Sequence, residues 1–246
     1  MSGVKYVMYG AAPIPLDLLR EAVQTIPDAG FLRCYGMTET TGTIAMLTPE
    51  DHSLEGNQRM ESAGKVVPEA ELKIVGEDGE ELPRGEVGEL ICKSPLNMEG
   101  YWNLPEATSS SPIDGWTNTG DAAYMDEDGY VFIQDRSKDM INSGGENVYP
   151  AQVESAIYGY PAVAEVAVVS VPDDTWGEAV KACVVPKPGS MVDPADIIAF
   201  TRERLAGFKV PKTVDVIEVM PSNTSGKIMR RELRAPYWEG RDRAVN

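Results

Sequence analysis

Few residues in this chain have the types that usually do chemistry, and the densest set of them lies in residues 135–150, DRSKDMINSGGENVYP. Gly144 and Gly145 open backbone conformations closed to other residues and let a ligand approach the main chain. Pro150 then starts a helix at its first turn. Taken alone, the stretch could equally be an ordinary loop between domains. The single histidine, His52, sits in a polar loop with no cysteine nucleophile beside it, which argues against catalysis there. No serine stands in a G-x-S-x-G elbow. Lys227, in SGKI at 225–228, is not a Walker lysine: Pro221 stands five residues before Gly226, and Ile228 follows where Ser or Thr is needed. Arg230, Arg231 and Arg234 come after it, a pattern that a solvated basic helix face would also give.

The elements that must position these residues change in texture along the chain. Residues 4–9 are apolar and β-prone, GAAPIP (10–15) breaks them, and Leu16, Leu19, Val23 and Ile26 follow at helical spacing. FLRCY (31–35) is a second short strand ending in GMTETTG. Strand, helix and strand in so short a span indicate an α/β layer with a parallel sheet, whose ligands sit at strand C-termini. From residue 61 the chain reads as short strands joined by Asp-Gly turns, LKIV, EVGELICK and YVFIQ, which predicts a small β-barrel or a strongly twisted sheet ending near Arg136. Beyond it the pattern predicts a helix over 150–160, strands over 163–171 and 179–186, a helix from Asp193-Pro194 to about Ala206, and a strand over 213–219. The expected fold is therefore α/β plus a β-barrel-like subdomain, followed by a small α+β domain, with divisions at 1–60, 61–136 and 137–246.

Composition narrows the function classes. The chain has 246 residues, and no apolar run approaches the roughly 20 residues of a membrane span. Met1-Ser2-Gly3 leads straight into VKYVMYG, so no signal peptide is expected. Three cysteines, Cys34, Cys92 and Cys183, far apart and odd in number, suggest neither a disulfide framework nor a zinc site, and a reducing, cytoplasmic setting is expected. A net charge of −17 argues against nucleic acid as a partner. Residues 1–136 hold 9 Lys/Arg against 24 Asp/Glu, whereas 137–246 hold 13 against 15, so a polyanionic ligand should lean on the second part.

Six segments in order, YGAAP (9–13), YGMTETTG (35–42), GELICKSPLNMEGYW (88–102), GWTNTGD (115–121), DRSKDMINSGGENVYP (135–150) and PSNTSGKIMRREL (221–233), together resemble the adenylate-forming acyl-CoA synthetase superfamily, nearest to its fatty-acid and aryl-CoA ligases. The resemblance implies ATP, Mg²⁺ and CoA as cosubstrates and cofactor, with a small carboxylic acid as substrate. It implies that Gly10, Ala11, Ala12, Pro13 and Tyr35 hold adenine, with Gly36 and Met37 counted among the cofactor-binding residues. Thr38 would bond a phosphate oxygen and Glu39 would help to hold Mg²⁺, a hard ion that completes its shell with phosphates and water; a plain helix-capping pair is the alternative for these two. Asp121 and Arg136 would bond the ribose hydroxyls. Lys138 would be a hinge, and Gly144 and Gly145, with Glu146 beside them, would line the channel for the pantetheine arm of CoA. Lys227 would be the adenylation lysine, a compact cation bridging the substrate carboxylate and the α-phosphate.

Two departures from the family pattern matter. The phosphate-binding loop of such enzymes, rich in Ser, Thr and Gly and followed by Pro-Lys-Gly, lies well upstream of the adenine motif, and nothing before residue 10 supplies it. The chain is thus expected to be the C-terminal half of such an enzyme, inactive alone and with a truncated sheet surface prone to self-association. Asn118 stands before Thr119-Gly120-Asp121 where relatives often have His or Arg, which leaves the Asp121 assignment standing. A non-catalytic AMP- or CoA-binding fragment remains open, as do an adenylation domain loading a carrier protein and a luciferase-like oxygenase.

Overall fold

A computed structural model describes residues 3–11, 14, 16–53, 55–109, 115–224 and 226–240. Its contacts divide the chain into two units, Met1–Gln134 and Asp135–Asn246.

The first unit begins with β1 (Tyr6–Gly10), α1 (Leu16–Thr25) and β2 (Gly30–Met37), followed by β3 (Gly42–Leu47) and the short β4 (Lys65–Val66). β1 and β2 run parallel with Gly10 beside Cys34, the crossover expected from the strand–helix–strand pattern. β3 and β4 add antiparallel neighbours, so the sheet is mixed. α1 turns Leu19 and Val23 onto Phe31 and Met60 in a small apolar cluster.

A second sheet has the order β5 (Glu71–Val75), β6 (Gly88–Lys93), β7 (Trp116–Met125), β8 (Val131–Arg136), with the short helix α2 (Pro105–Ser109) between β6 and β7. The Asp-Gly turn between β7 and β8 closes where Gly129 N donates to Asp126 O and Tyr130 N to Asp126 Oδ1. This is the twisted-sheet form of the expectation: β5 and β8 lie at opposite edges, so no barrel closes. Instead Ala63 and Gly64 bond across to Val131, and Ala45 of β3 joins Ile74, Leu90, Ala123, Met125 and Val131 in a core shared by the two sheets.

The second unit holds β9 (Ile141–Ser143), β10 (Glu146–Val148), α3 (Pro150–Tyr158), β11 (Val163–Asp173), β12 (Gly177–Pro186), α4 (Pro194–Arg202), β13 (Thr213–Val216) and α5 (Arg230–Arg234). β11 and β12 form a long antiparallel pair and β13 lies parallel to β12. Val153 and Ile157 of α3 and Ile197 of α4 close the core against Val166, Val168, Val180 and Val184. Asp193 caps α4 by accepting from Ala195 N at 2.8 Å, with Pro194 at the first helical position. The helix stops at Arg202 rather than Ala206. The strand over 213–219 likewise shortens to Val216, beyond which Val219 is 78% exposed. β11 is an edge strand, and side chains plug its open backbone groups. Val168 N donates to Glu154 Oε1 at 2.8 Å, and Ser170 O accepts from Trp238 Nε1 at 3.0 Å.

Candidate functional site

In the first unit the parallel pair places the ends of β1 and β2 side by side, and the candidate residues gather there. At Gly10 a Cβ would lie 2.2 Å from Cys34 O, so only glycine allows this approach. Ala11 follows with φ +64, a left-handed conformation uncommon for alanine, which fixes how the chain leaves the sheet. Ala12 and Pro13 lie outside the described residues. His52 holds the preceding Tyr9. Its Nδ1 lies 2.8 Å from Thr48 O and so carries the proton, leaving Nε2 to accept from Tyr9 Oη at 2.8 Å. Burial pushes the Tyr9 phenol up to about 12 and lowers the histidine. The sole histidine is thus engaged in holding a strand end.

Tyr35 ends the regular pairing of β2, and the register shifts between Tyr35 and Gly36. A Cβ on Gly36 would fall 1.7 Å from Gly42 O, so these two glycines let the chain fold back tightly at Thr38–Thr40. Thr40 ties this turn from within: its Oγ1 lies 3.1 Å from Met37 N and O and 3.0 Å from Gly42 O. Local capping therefore falls to buried Thr40. Thr38 is exposed and Glu39 half-buried.

Two carboxylates here are held by phenols. Asp121, on β7 and only 6% exposed, accepts from Tyr35 Oη at 2.5 Å. Glu39 Oε1 accepts from Tyr101 Oη at 2.7 Å, while Glu39 O takes Met98 N at 2.8 Å. Thr119 fixes the approach of Asp121, donating to Leu90 O at 2.7 Å and lying 3.2 Å from Asp121 N. A phenol donor orients a carboxylate and brings no opposite charge to it. No three His, Cys, Asp or Glu side chains among the described residues form a metal cluster. The lone Glu39 carboxylate suits Mg²⁺, which takes one or two protein carboxylates and fills its shell with phosphate and water.

The second unit carries the other candidates. Arg136 ends β8, and Lys138 stands exposed in the 3₁₀ turn Ser137–Asp139. Gly144 and Gly145 form the two-residue turn between β9 and β10 with φ +66 and +87, the pair of positive values that a type I′ hairpin demands. Gly144 N donates to Trp176 O and Gly145 N to Asn142 Oδ1, both at 2.9 Å. A Cβ on Gly144 would meet the Trp176 ring at 2.4 Å, whereas one on Gly145 would meet nothing within 4 Å. One side of the turn is packed and the other open. Glu146 is exposed beside it.

Lys227 lies on a tight hairpin: Ser222 bridges Ile228, Asn223 N donates to Lys227 O, and Lys227 N to Asn223 Oδ1, each bond 2.9 Å long. Its side chain is exposed. Behind it Arg230 bonds Glu154 through Nη2 at 2.7 and 2.9 Å and through Nε at 3.2 Å, with Asp135 and Asp139 each 3.9 Å from Nη1. Burial raises the Asp135 carboxyl to about 6, only partly opposed by Arg230. Arg230 itself is held firmly charged, since its close partner is Glu154. Burial also pushes the Cys92 and Cys183 thiols up to about 11, which keeps them protonated and un-nucleophilic at neutral pH.

Tyr101, Asp135 and Glu154 were not singled out from sequence, and Arg230 was seen there only as part of a basic face. Tyr101 had a signal, its place in the GYW of a quoted motif. Asp135 had its place at the start of segment 135–150, and Glu154 only its nearness to the end of that segment.

Residues 1–102 match the family model of AMP-binding enzymes, and residues 152–227 match that of the AMP-binding enzyme C-terminal domain. A fatty acid–[acyl-carrier-protein] ligase, ScoC of Streptomyces coeruleorubidus, is 45% identical over 243 residues, 99% of this chain and 46% of the relative. A feruloyl-CoA synthase of Amycolatopsis sp is 43% identical over 96% of this chain and 47% of its own length. A medium/long-chain-fatty-acid–CoA ligase, FadD8 of Mycobacterium tuberculosis, is 39% identical over 100% of this chain and 43% of its own. Among solved structures, the amide bond synthetase McbA from Marinactinospora thermotolerans superposes with a TM-score of 0.87 at 35% identity, over 96% of this chain and 48% of that one. The o-succinylbenzoate CoA synthetase MenE from Bacillus subtilis, in complex with an acyl-adenylate intermediate, gives 0.83 at 37% identity, over 93% of this chain and 45% of that one. The chain spans about half the length of the curated relatives it matches. With both family models matched in order, this chain belongs to the AMP-binding, adenylate-forming enzyme family.

Proposed function

We propose that this chain serves the ATP-dependent conversion of a carboxylic acid, in the first instance a fatty acid, to its CoA thioester. In the first step a carboxylate oxygen attacks the α-phosphorus of ATP, the bond to the leaving pyrophosphate breaks, and an acyl adenylate forms. In the second the CoA sulfur attacks the acyl carbon, the acyl–oxygen bond breaks, AMP leaves, and the thiol proton passes to solvent. Such chemistry rests on positioning and charge stabilisation rather than on a side chain that carries protons.

The observation that carries this proposal is the bond of Tyr35 to buried Asp121, continuous through β2 with the turn that presents Thr38 and Glu39. A flat ring, a hydroxyl and a carboxylate thus follow one another along β2 and the turn after it, and a second carboxylate, able to accept from ribose hydroxyls, reaches the ring from β7 of the other sheet. Gly10, Ala11, Ala12 and Pro13 complete the adenine side, Gly36 and Met37 are further cofactor-binding residues, and Arg136 adds a second ribose contact. Glu39 would hold Mg²⁺ with the phosphates, and the ion would neutralise phosphate charge. On the second unit, Lys227 serves adenylation. The open side of Gly144-Gly145, with Glu146, serves the pantetheine thiol, and Lys138 is the hinge between the two uses. Three free cysteines support a reducing, cytoplasmic setting. Tyr6 and Met8, 64% and 67% exposed on β1, support self-association, which light scattering tests: a monomer at all concentrations would exclude it.

A carrier-protein acceptor is the second reading, favoured by the similarity to the acyl-carrier-protein ligase; CoA and carrier proteins present the same pantetheine thiol. Pyrophosphate release over a panel of fatty and aryl acids tests the proposal. The assay uses this chain alone and joined to the remaining half of the feruloyl-CoA synthase relative. Spanning about half the length of these relatives, the chain alone should release none, and the joined protein should turn over with CoA or a carrier protein present. AMP binding without turnover by the joined protein would support a non-catalytic module instead.

A further inference from the structure

The hairpin that presents Lys227 is closed at its base, and that base runs within three residues into Arg230. Met229 N donates to Pro221 O, closing the hairpin, and the next side chain turns inward. Arg230 meets Glu154 of α3 with both ends of its fork, and Glu154 is itself pinned to β11 by Val168 N. The same guanidinium lies 3.9 Å from Asp135 and from Asp139, the residues on either side of Arg136 and Lys138. Asp135 is fixed in turn: it accepts from Ala151 N at the start of α3 at 2.8 Å, and from Arg136 N at 2.7 Å. Arg234, one turn further along α5, reaches Asp139 at 3.7 Å. One planar, always-charged group thereby joins three pieces of chain that are distant in sequence. Lysine, a point charge, could not make the bidentate contact.

We propose that Arg230 is a positioning residue for Lys227, fastening the base of its hairpin to α3 and to the Asp135–Asp139 segment so that the hairpin keeps a fixed place against both. This rests on the role given to Lys227 above, but the coupling itself is a property of the chain without substrate. Arg230 touches no reacting atom. The strength of the tie depends on pH through Asp135, which is faced by Arg230 from α5, Glu154 from α3, Asp139 from the hinge turn, and the Tyr149 phenol. Protonation near pH 6 removes one of the three carboxylates around Arg230 and leaves Glu154 and Asp139.

Amide hydrogen exchange on the 246-residue chain tests this without ATP or an acid, and so separately from the function of Lys227. In Arg230→Ala the amides of Asn223, Gly226, Lys227 and Met229 should exchange about tenfold faster, while those of Val180 and Ala182 in β12 change less than about twofold. Arg230→Lys, which keeps charge but not the fork, should restore part of the protection. In the wild type, after correction for intrinsic exchange, hairpin protection should fall about threefold between pH 7 and pH 5 with a midpoint near 6, and in Asp135→Asn it should be flat. Unchanged hairpin protection in Arg230→Ala would overturn the proposal, as would a uniform rise across the whole unit. If Arg230→Ala fails to fold, Arg230→Lys and the pH profile of Asp135→Asn decide alone: unaltered protection in the first and an unaltered step in the second overturn it.

Discussion

The two units treat their carboxylates in opposite ways. In the first, Asp121 and Glu39 are each held by a tyrosine hydroxyl, which orients the group and brings no opposite charge to it. In the second, Asp135, Asp139 and Glu154 surround Arg230, and their charge is consumed inside the fold. The first arrangement suits groups that must meet a ribose hydroxyl or a cation. The second suits groups that hold a segment in place. The contrast follows the charge balance of the chain, since residues 1–134 carry 8 Lys/Arg for 23 Asp/Glu and residues 135–246 carry 14 for 16. A carboxylate's partner is thus a guide to whether it faces a ligand or the core.

The largest effect that would sharpen this comparison is on Lys227, the exposed cation of the second unit. In the protein joined to its relative's remaining half, Lys227→Ala should slow pyrophosphate release by about 10²–10³, as removal of one charge aimed at a transition state typically does. Thioester formation from a supplied acyl adenylate should be nearly spared. Gly145→Leu should do the reverse, because its side chain would enter the open face of the β9–β10 turn. Equal slowing of both half-reactions by Lys227→Ala would assign the lysine to the fold.

Next in size is the pH dependence of the buried cluster. The folded-state value of Asp135, about 6, lies above its ordinary 3.8. Between those values the folded state binds the extra proton, so the stability this group confers is present below 3.8 and lost as pH rises through 6. Asp135→Asn escapes that loss. Relative to the wild type it should gain up to about 3 kcal/mol between pH 3.5 and pH 7, less what the weakened contact to Arg230 costs. Denaturant unfolding at the two pH values measures it, and a relative stability that does not change with pH would break the assignment. A smaller effect belongs to the first unit. Tyr35→Phe removes the donor to Asp121 and should weaken AMP binding about tenfold in calorimetry, in line with a hydrogen bond to a charged group. Unchanged affinity would mean that the phenol does not orient the ribose carboxylate.

Local signals in the sequence carried the secondary structure well. The Val-rich alternation of 163–171, the Asp193-Pro194 cap and the Asp-Gly turn after β7 each act within a few residues, and each stands where the pattern predicts. β3 was not foreseen, because GTIAML follows the TETT turn without a break of its own. Failure of the second sheet to close depends on which edges meet, and no short window records that. Distance hid the site's side-chain bonds in the same way: Tyr101 reaches Glu39 across 62 positions, Arg230 reaches Glu154 across 76, and Tyr35 reaches Asp121 across 86. The resemblance named both ends of the last pair and gave no sign of the bond between them.

The division of labour between the units is tested most directly by titrating AMP into the ¹⁵N-labelled 246-residue chain. The amides of Gly10, Gly36, Thr38, Glu39, Gly120 and Asp121 should shift most, and those of Gly144, Gly145 and Glu146 should stay nearly still. Shifts centred on the Gly144-Gly145 turn, with the Tyr35–Asp121 region unmoved, would contradict the assignment of the nucleotide to the phenol-held carboxylates of the first unit.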